Sequence, residues 1–145
     1  MNDLEKLRKW LLTYPGWGES GLLYVDYTDA VPGLGLYPAG LEELSRQEDV
    51  LGNVTVKCRY HFALYRVTAV QEDKTEDAVW LMDFQRWVQQ QSVLGLAPQF
   101  GNVPGVERLR AQKGKLKEAS QAGTATYVVT LTADFTKIYG GNENV

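Results

Sequence analysis

Cys58 and His61 are three residues apart in the sequence. Their side chains can bind a metal ion, or act as nucleophile and base. On a helix, this spacing would bring a thiolate and an imidazole to one face. The surrounding segment alternates like a strand, however, and strand residues three apart point to opposite faces. We therefore expect a buried core thiol and a surface histidine. Because the chain has one cysteine and one histidine, the sequence predicts no structural zinc site. No motif signals another metal or a cofactor, and we expect none.

Adjacent carboxylates are the second set of residues with chemical potential, since paired acids can serve general acid–base catalysis or hold a hard cation. Each pair lies in or beside a predicted turn or helix start, which favours solvated or capping roles. Neither the phosphate-loop pattern nor a G-x-S-x-G elbow is present. The sequence thus predicts no catalytic residue and no enzyme. The acid pairs are Glu42-Glu43, Glu48-Asp49, Glu72-Asp73 and Glu76-Asp77.

The densest run of positive charge lies between residues 106 and 118, and we predict a basic hairpin there, turning around Gly114. One interpretation is an edge strand that lysines protect from aggregation. The other is an electrostatic contact with DNA phosphates or an acidic neighbour. No aromatic residues interleave for stacking on single strands. The run contains Arg108, Arg110, Lys113, Lys115 and Lys117.

Composition narrows the function classes. The chain has 145 residues, a net charge of -3 and a pI near 5.2, which argues against a dedicated nucleic-acid binder. A single cysteine forms no internal disulfide, so an oxidising compartment is not required. We see no signal peptide and no run of about 18 apolar residues, and expect synthesis in a cytoplasm with no membrane partner.

Periodicity predicts an α+β fold. Leu4, Leu7 and Leu11 recur at helical spacing, and residues 41–48 fit either a helical turn or, as we favour, a strand entering a hairpin at Gly52-Asn53. The predicted helices cover 3–14 and 76–94, the strands cover 22–27, 41–48, 54–70 and 124–137, and a turn-rich stretch with a brief strand at Leu36-Tyr37 covers 29–40.

The strand over 54–70 is the strongest signal, because apolar and polar residues alternate throughout it. At about 3.3 Å per residue it would span roughly 55 Å, so we expect it to bend, bulge or project. The aromatic residues Trp80, Phe84 and Trp87 fit a core stripe better than a ligand pocket. Clustered strands predict a mainly antiparallel sheet with two helices on one face. We expect one domain over 1–138 and a disordered tail over 139–145.

Three segments resemble small tail-completion proteins of phages and prophages of Gram-positive bacteria, which are often labelled minor capsid proteins. They are LEELSRQEDVLGNVTVKCRYHFALY from Leu41 to Tyr65, WLMDFQRWVQQQ from Trp80 to Gln91 and ATYVVTLTADF from Ala125 to Phe135. The resemblance implies a tail-terminator-like fold. It also implies a homo-oligomeric ring, a hexamer being one candidate size, that caps the tail tube and joins it to the head.

The same resemblance implies the partners: further copies of the chain, the major tail protein, a head-completion protein, and DNA passing non-specifically through the lumen. It places the protein in the virion after assembly in the host cytoplasm. A head-completion or stopper role is the main alternative, and a small-ligand-binding domain a weaker one. The predicted interface or lumen contacts are Arg108, Arg110, Lys113, Lys115, Lys117, Lys57, Arg59 and His61.

Overall fold

The computed structural model describes residues 2–17, 23–25, 33–69, 75–119 and 123–140. Five strands form one sheet in the order β1-β2-β3-β5-β4, in which β1 is parallel to β2 and all other neighbours are antiparallel. Two helices share a single core with one face of this sheet, so the predicted α+β class is confirmed. The elements are α1 (Asp3–Leu11), a 3-10 turn (Pro15–Trp17), β1 (Leu23–Val25), β2 (Gly33–Glu48), β3 (Val54–Ala69), α2 (Thr75–Val93), β4 (Arg108–Ala119) and β5 (Thr124–Tyr139).

Helix α1 begins at a side-chain cap. Oδ1 of Asn2 accepts a 2.8 Å hydrogen bond from the backbone N–H of Glu5, which satisfies one of the free donors of the first turn. The helix ends at Leu11, three residues earlier than predicted. The residue before a proline disfavours the helical conformation, and Tyr14 precedes Pro15. Tyr14 is nevertheless buried.

Strand β2 corrects the prediction of a turn-rich stretch over 29–40 from residue 33 onward, because the strand runs from Gly33 to Glu48; residues 29–32 lie outside the described residues. Its described pairing with β1 reaches Leu36, and no described strand pairs with Pro38 on that side, where a missing N–H is tolerated. Gly40 has φ +108 and lies in the irregularity between Pro38 and Leu41. The predicted hairpin between β2 and β3 is confirmed.

Strand β3 pairs along its full length with β5, from Val54 opposite Tyr139 to Ala69 opposite Thr124. The predicted alternation is confirmed: Cys58, Phe62 and Leu64 are buried on the side of the helices. The sixteen residues of β3 exceed the usual strand length, and one end of the strand extends past the body of the sheet.

The prediction of a basic hairpin around Gly114 is wrong. Residues 108–119 form the single strand β4, antiparallel to β5. An irregularity between Gln112 and Lys115, with Lys113 at φ +58, keeps both halves in the sheet. A Cβ on Gly114 would lie 2.5 Å from Oε1 of Gln85 on α2. The glycine therefore marks a close approach of β4 to the helix and not a turn.

Helix α2 packs aromatic rings into the core. Trp80 and Phe84 stack with centroids 5.4 Å apart, and Trp87 stacks on Trp10 of α1 at 4.7 Å. The predicted stripe is thus core packing. Gly95, at φ +73, ends the helix as predicted, with the N–H of Leu96 donating to the carbonyl of Gln91.

We predicted a disordered tail over 139–145. Residues 141–145 lie outside the described residues, and Tyr139 is instead the last residue of β5. Judged on the described residues, neither helix has the length and apolar character needed to cross a membrane.

Candidate functional site

Most of the predicted contact residues lie together on the sheet face opposite the helices, which we name the basic face. On β3 they alternate with the buried side chains, and on β4 the register places Arg108 opposite Asp134 and Arg110 opposite Thr132. The irregularity before Lys115 returns that residue to the same face, opposite Val128. The basic face consists of Lys57, Arg59, His61, Arg108, Arg110, Lys115 and Lys117.

Lys113 is the exception among the eight predicted contact residues. It lies within the β4 irregularity, unpaired with any residue of β5, and its φ of +58 is rare for a side-chain-bearing residue. The structure therefore brings seven of the eight residues to one surface, although the hairpin expected to present five of them does not exist.

Asp134 on β5 is the electrostatic centre of the basic face. Arg59 donates to it through Nε, 2.6 Å from Oδ1, and through Nη2, 3.0 Å from Oδ2. Arg110 approaches the same Oδ2 with Nη2 at 3.4 Å. The hydrogen bonds from Arg59 lower the pKa of Asp134 below its ordinary value, despite an opposing effect of burial. Two guanidinium groups share one carboxylate, which leaves a net positive charge.

Two further pairs flank this centre. Nε2 of His61 lies 3.0 Å from Oε1 of Glu42 on β2. Nζ of Lys117 lies 4.6 Å from the ring centroid of Tyr65 and donates to its hydroxyl at 3.3 Å. Both contacts span neighbouring or nearby strands of the outer face, and both are solvent-exposed, so each contributes little to stability.

Several basic side chains have no polar partner among the residues that the structure describes. No hydrogen bond or ion pair involves the side chain of Lys57, Arg108, Lys113 or Lys115 in the described part of the chain, and all four are exposed. Their charges are hydrated and free to meet an external anion.

Cys58 and His61 lie on opposite faces, as predicted. Cys58 is buried opposite Phe135, and burial raises the pKa of its thiol, which makes the side chain a poor nucleophile. Across the described ranges, no three His, Cys, Asp or Glu side chains are grouped so that they could hold a metal ion.

A second surface is formed where β2, β3 and β5 extend beyond the start of β4 at Arg108. We name this extension the arm: residues 41–59 of the hairpin with residues 134–139 of β5. Every side chain or glycine from 38 to 51 is exposed. Four of the exposed residues are large and apolar, and two of these are at the tip: Leu41, Leu44, Val50 and Leu51.

The turn at the tip of the arm is well ordered. Oδ1 of Asp49 accepts hydrogen bonds from the N–H groups of Leu51 and Asn53, both at 2.9 Å, and Oδ2 accepts from Nδ2 of Asn53 at 3.0 Å. The side-chain bond from Asn53 lowers the pKa of Asp49. Gly52, at φ +85, completes the turn. The hydrogen bonds therefore fix the backbone of the turn, while the side chains of Val50 and Leu51 are exposed to water.

The two long edges of the sheet differ. On β4, α2 covers outward backbone groups: Ser92 Oγ accepts from the N–H of Leu109 at 3.0 Å, and Gln85 Nε2 donates to the carbonyl of Ala111 at 3.2 Å. On β2, no described strand pairs with residues 38–48 on the side away from β3. Pro38 and two register irregularities interrupt that edge.

The edge of β2 is also acidic, which sequence reasoning missed as a functional feature. Residues 41–49 contain four acids and one base, and the base, Arg46, is paired with Glu43 at 2.6 Å. Residues 108–119 contain five bases and one acid. The signal available in the sequence was this difference in charge between the two segments. The strand order places them at opposite edges of the sheet.

Comparison with models of known protein families finds no match for this chain, and comparison with curated proteins finds none.

Proposed function

We propose that the chain is a structural subunit that works by associating with copies of itself, as a bacteriophage tail-completion protein whose ring caps the tail tube and joins it to the head. The observation that carries this proposal is the arm, a three-stranded extension beyond the start of β4 with four exposed apolar side chains, whose outer strand pairs with no described strand on the side away from β3. One face of the arm adds Val56, Cys58 and Phe135 to the core, while its outer strand and tip add exposed surface.

The apolar residues of the arm favour a partner. Val50 is fully exposed and Leu51 is 76% exposed. Transfer of either apolar side chain out of water lowers the free energy. Full burial of a side chain of this size stabilises a complex by about 1.5–3 kcal/mol. Several such side chains can offset part of the entropy that association costs.

The order of the arm also favours binding. Asp49 fixes the turn through three hydrogen bonds, so the tip loses little conformational freedom when it docks. A chain that merely ended a hairpin in water would have no need for two apolar residues at such a turn.

The phage assignment rests on the resemblance, which falls on the β2–β3 hairpin, α2 and β5. These are the hairpin that carries the arm, a helix of the core and the strand that pairs with β3. The proposed partners are further copies of the chain, the major tail protein and a head-completion protein, within the virion.

A contact with DNA is a secondary part of the proposal, supported by the unpartnered charges of Lys57, Arg108 and Lys115. Their spacing over one sheet face suits a non-specific contact with phosphates. Such a contact predicts affinity for duplex DNA that falls steeply between 50 and 200 mM salt.

The proposal is tested by sedimentation velocity of the purified protein and by its binding to tail tubes of the major tail protein. Wild type should form oligomers or cap tube ends. Val50→Asp/Leu51→Asp should lose both properties while remaining folded. Met82→Asp, at an exposed site on α2, is the matched control and should retain them. A wild-type chain that stays monomeric and ignores tubes would overturn the proposal.

A further inference from the structure

The acidic edge and the basic edge of the sheet are on opposite sides of the molecule. The strand order puts β3 and β5 between β2 and β4, which separates the two edges by about 14 Å, from three strand spacings. The acids of the arm therefore cannot neutralise the unpartnered bases of β4 within one chain.

Beside β4 lies a groove that an arm could enter. It has a volume of about 520 Å³ and runs between α2 and β4. Arg86 and Arg108 line it together with the apolar side chain of Val93, which is 81% exposed. The groove thus combines positive charge with an apolar wall, and the arm combines negative charge with apolar residues.

We propose that this groove, with the exposed bases Arg86 and Arg108 that line it, receives the acidic arm of a second copy of the chain. This inference rests on the proposed function and specifies the contact through which copies meet. The arm from residue 41 to residue 48 is about 26 Å long and β4 about 40 Å, at about 3.3 Å per residue. The edge of β4 is therefore long enough to take the whole outer strand of the arm, and the two surfaces carry opposite charge.

The contact is made by side chains, because the backbone edges do not suit continuous pairing. Ser92 and Gln85 already bond the outward groups of Leu109 and Ala111. Pro38 and the irregularities of β2 break the ladder on the other side. Charge and apolar contacts then decide which surfaces meet.

Charge also decides the symmetry. Pairing two arms with each other would bring Glu43 and Glu48 of one copy close to the same acids of the other copy. Like-charge repulsion disfavours this arrangement. An arm seated beside β4 is instead a head-to-tail contact between different surfaces. Contacts of this type generate a closed ring or an open filament, depending on the rotation between copies.

Charge reversal tests the contact. The arm variant is Glu43→Lys/Glu48→Lys and the groove variant is Arg86→Glu/Arg108→Glu. Of these four residues, only Glu43 has an ion-pair partner among the described residues. Each variant alone should associate at least tenfold more weakly than wild type in sedimentation velocity at 50 mM salt. An equimolar mixture of the two should recover association, because each variant supplies the surface that suits the other.

The control is Arg8→Glu/Lys9→Glu on α1, which changes net charge as much as the groove variant and should associate like wild type. Circular dichroism establishes that every variant is folded. If wild type associates and either variant does so equally well, or if the mixture fails to recover, the arm–groove contact is wrong while self-association stands. If wild type neither associates nor binds tail tubes, the proposed function itself fails.

Discussion

The hydroxyl of Tyr127 on β5 donates a 2.9 Å hydrogen bond to Oδ2 of Asp77 on α2, which joins the sheet to the helix inside the core. The other carboxylate oxygen lies 3.5 Å from Nη1 of Arg66 on β3. Arg66 in turn lies over the Trp80 ring, 4.4 Å from its centroid. A single buried carboxylate thus holds two strands and a helix in register.

The first prediction concerns alkaline stability. Burial, with the bond to Asp77, raises the pKa of Tyr127 from 10.0 to about 12. Burial and the bond to Asp3 do the same to the pKa of Tyr60. Because the folded pKa exceeds the unfolded one, this stabilisation is complete below pH 10 and is lost as pH rises from 10 to 12.

Urea unfolding between pH 8 and 11.5 measures this loss. Tyr127→Phe should reduce the free energy of unfolding at pH 7 by about 1–2 kcal/mol, since it leaves a buried acceptor short of a donor, and should flatten the alkaline decline. Tyr139→Phe, at a partly exposed site, should leave both unchanged. An equally steep decline in wild type and Tyr127→Phe would contradict the assignment.

The second prediction concerns acid. Because the pKa of Asp134 is lowered in the folded chain by Arg59, its contribution is present above the ordinary value of 3.8 and is lost as pH falls below it. Asp134→Asn should reduce stability at pH 7 by about 1 kcal/mol, a small value because the group is a quarter exposed. Urea titrations at pH 7 and pH 3 should show wild type and variant converging at pH 3.

The third prediction concerns Gly101, where the chain passes close to β5. A Cβ there would lie 2.0 Å from the carbonyl oxygen of Thr136, which is backbone and cannot swing away. Gly101→Ala should lower the free energy of unfolding by about 1–3 kcal/mol. Gln99→Ala is the control, since Gln99 is exposed and lies two residues earlier in the same loop. Equal losses in the two variants would refute a steric cause.

The fourth prediction concerns the docking of α1 on α2. The Trp10 ring stacks on Trp87, and its Nε1 donates to Oε1 of Gln91 at 3.0 Å. Trp10→Ala should cost about 3–5 kcal/mol and should weaken the near-ultraviolet circular dichroism signal of the stacked rings. Leu12→Ala, at an exposed position just after the same helix, should change neither by much.

The start of α1, the end of α2 and the strand faces were predictable because local chemistry determines them, whereas α1 ends three residues before its predicted boundary. Asn2 caps α1 through a bond three residues away, and Gly95 ends α2 by adopting φ +73. The alternation along β3 needs only a period of two and one buried face. None of these features depends on where distant segments lie.

The predictions made from Gly114 and Pro38 were wrong, because the roles of these residues depend on distant parts of the chain. Gly114 has the composition signal of a turn, yet it serves the approach of Gln85 from another element. Pro38 reads as a strand breaker, yet it lies within β2, where no described residue pairs with it on the side away from β3. The opposition of an acidic arm and a basic strand required the sheet order, which no local pattern contains.

The pairing of Ser92 and Gln85 with the backbone of β4 has a consequence for colloidal behaviour. A sheet grows into a cross-β fibril only if each added molecule offers a fresh margin of free N–H and C=O groups. Here the N–H of Leu109 and the C=O of Ala111 already bond to side chains of α2, so strand addition at this part of the β4 edge would have to break those contacts. This protection lowers the tendency to form amyloid when many copies are present at high local concentration.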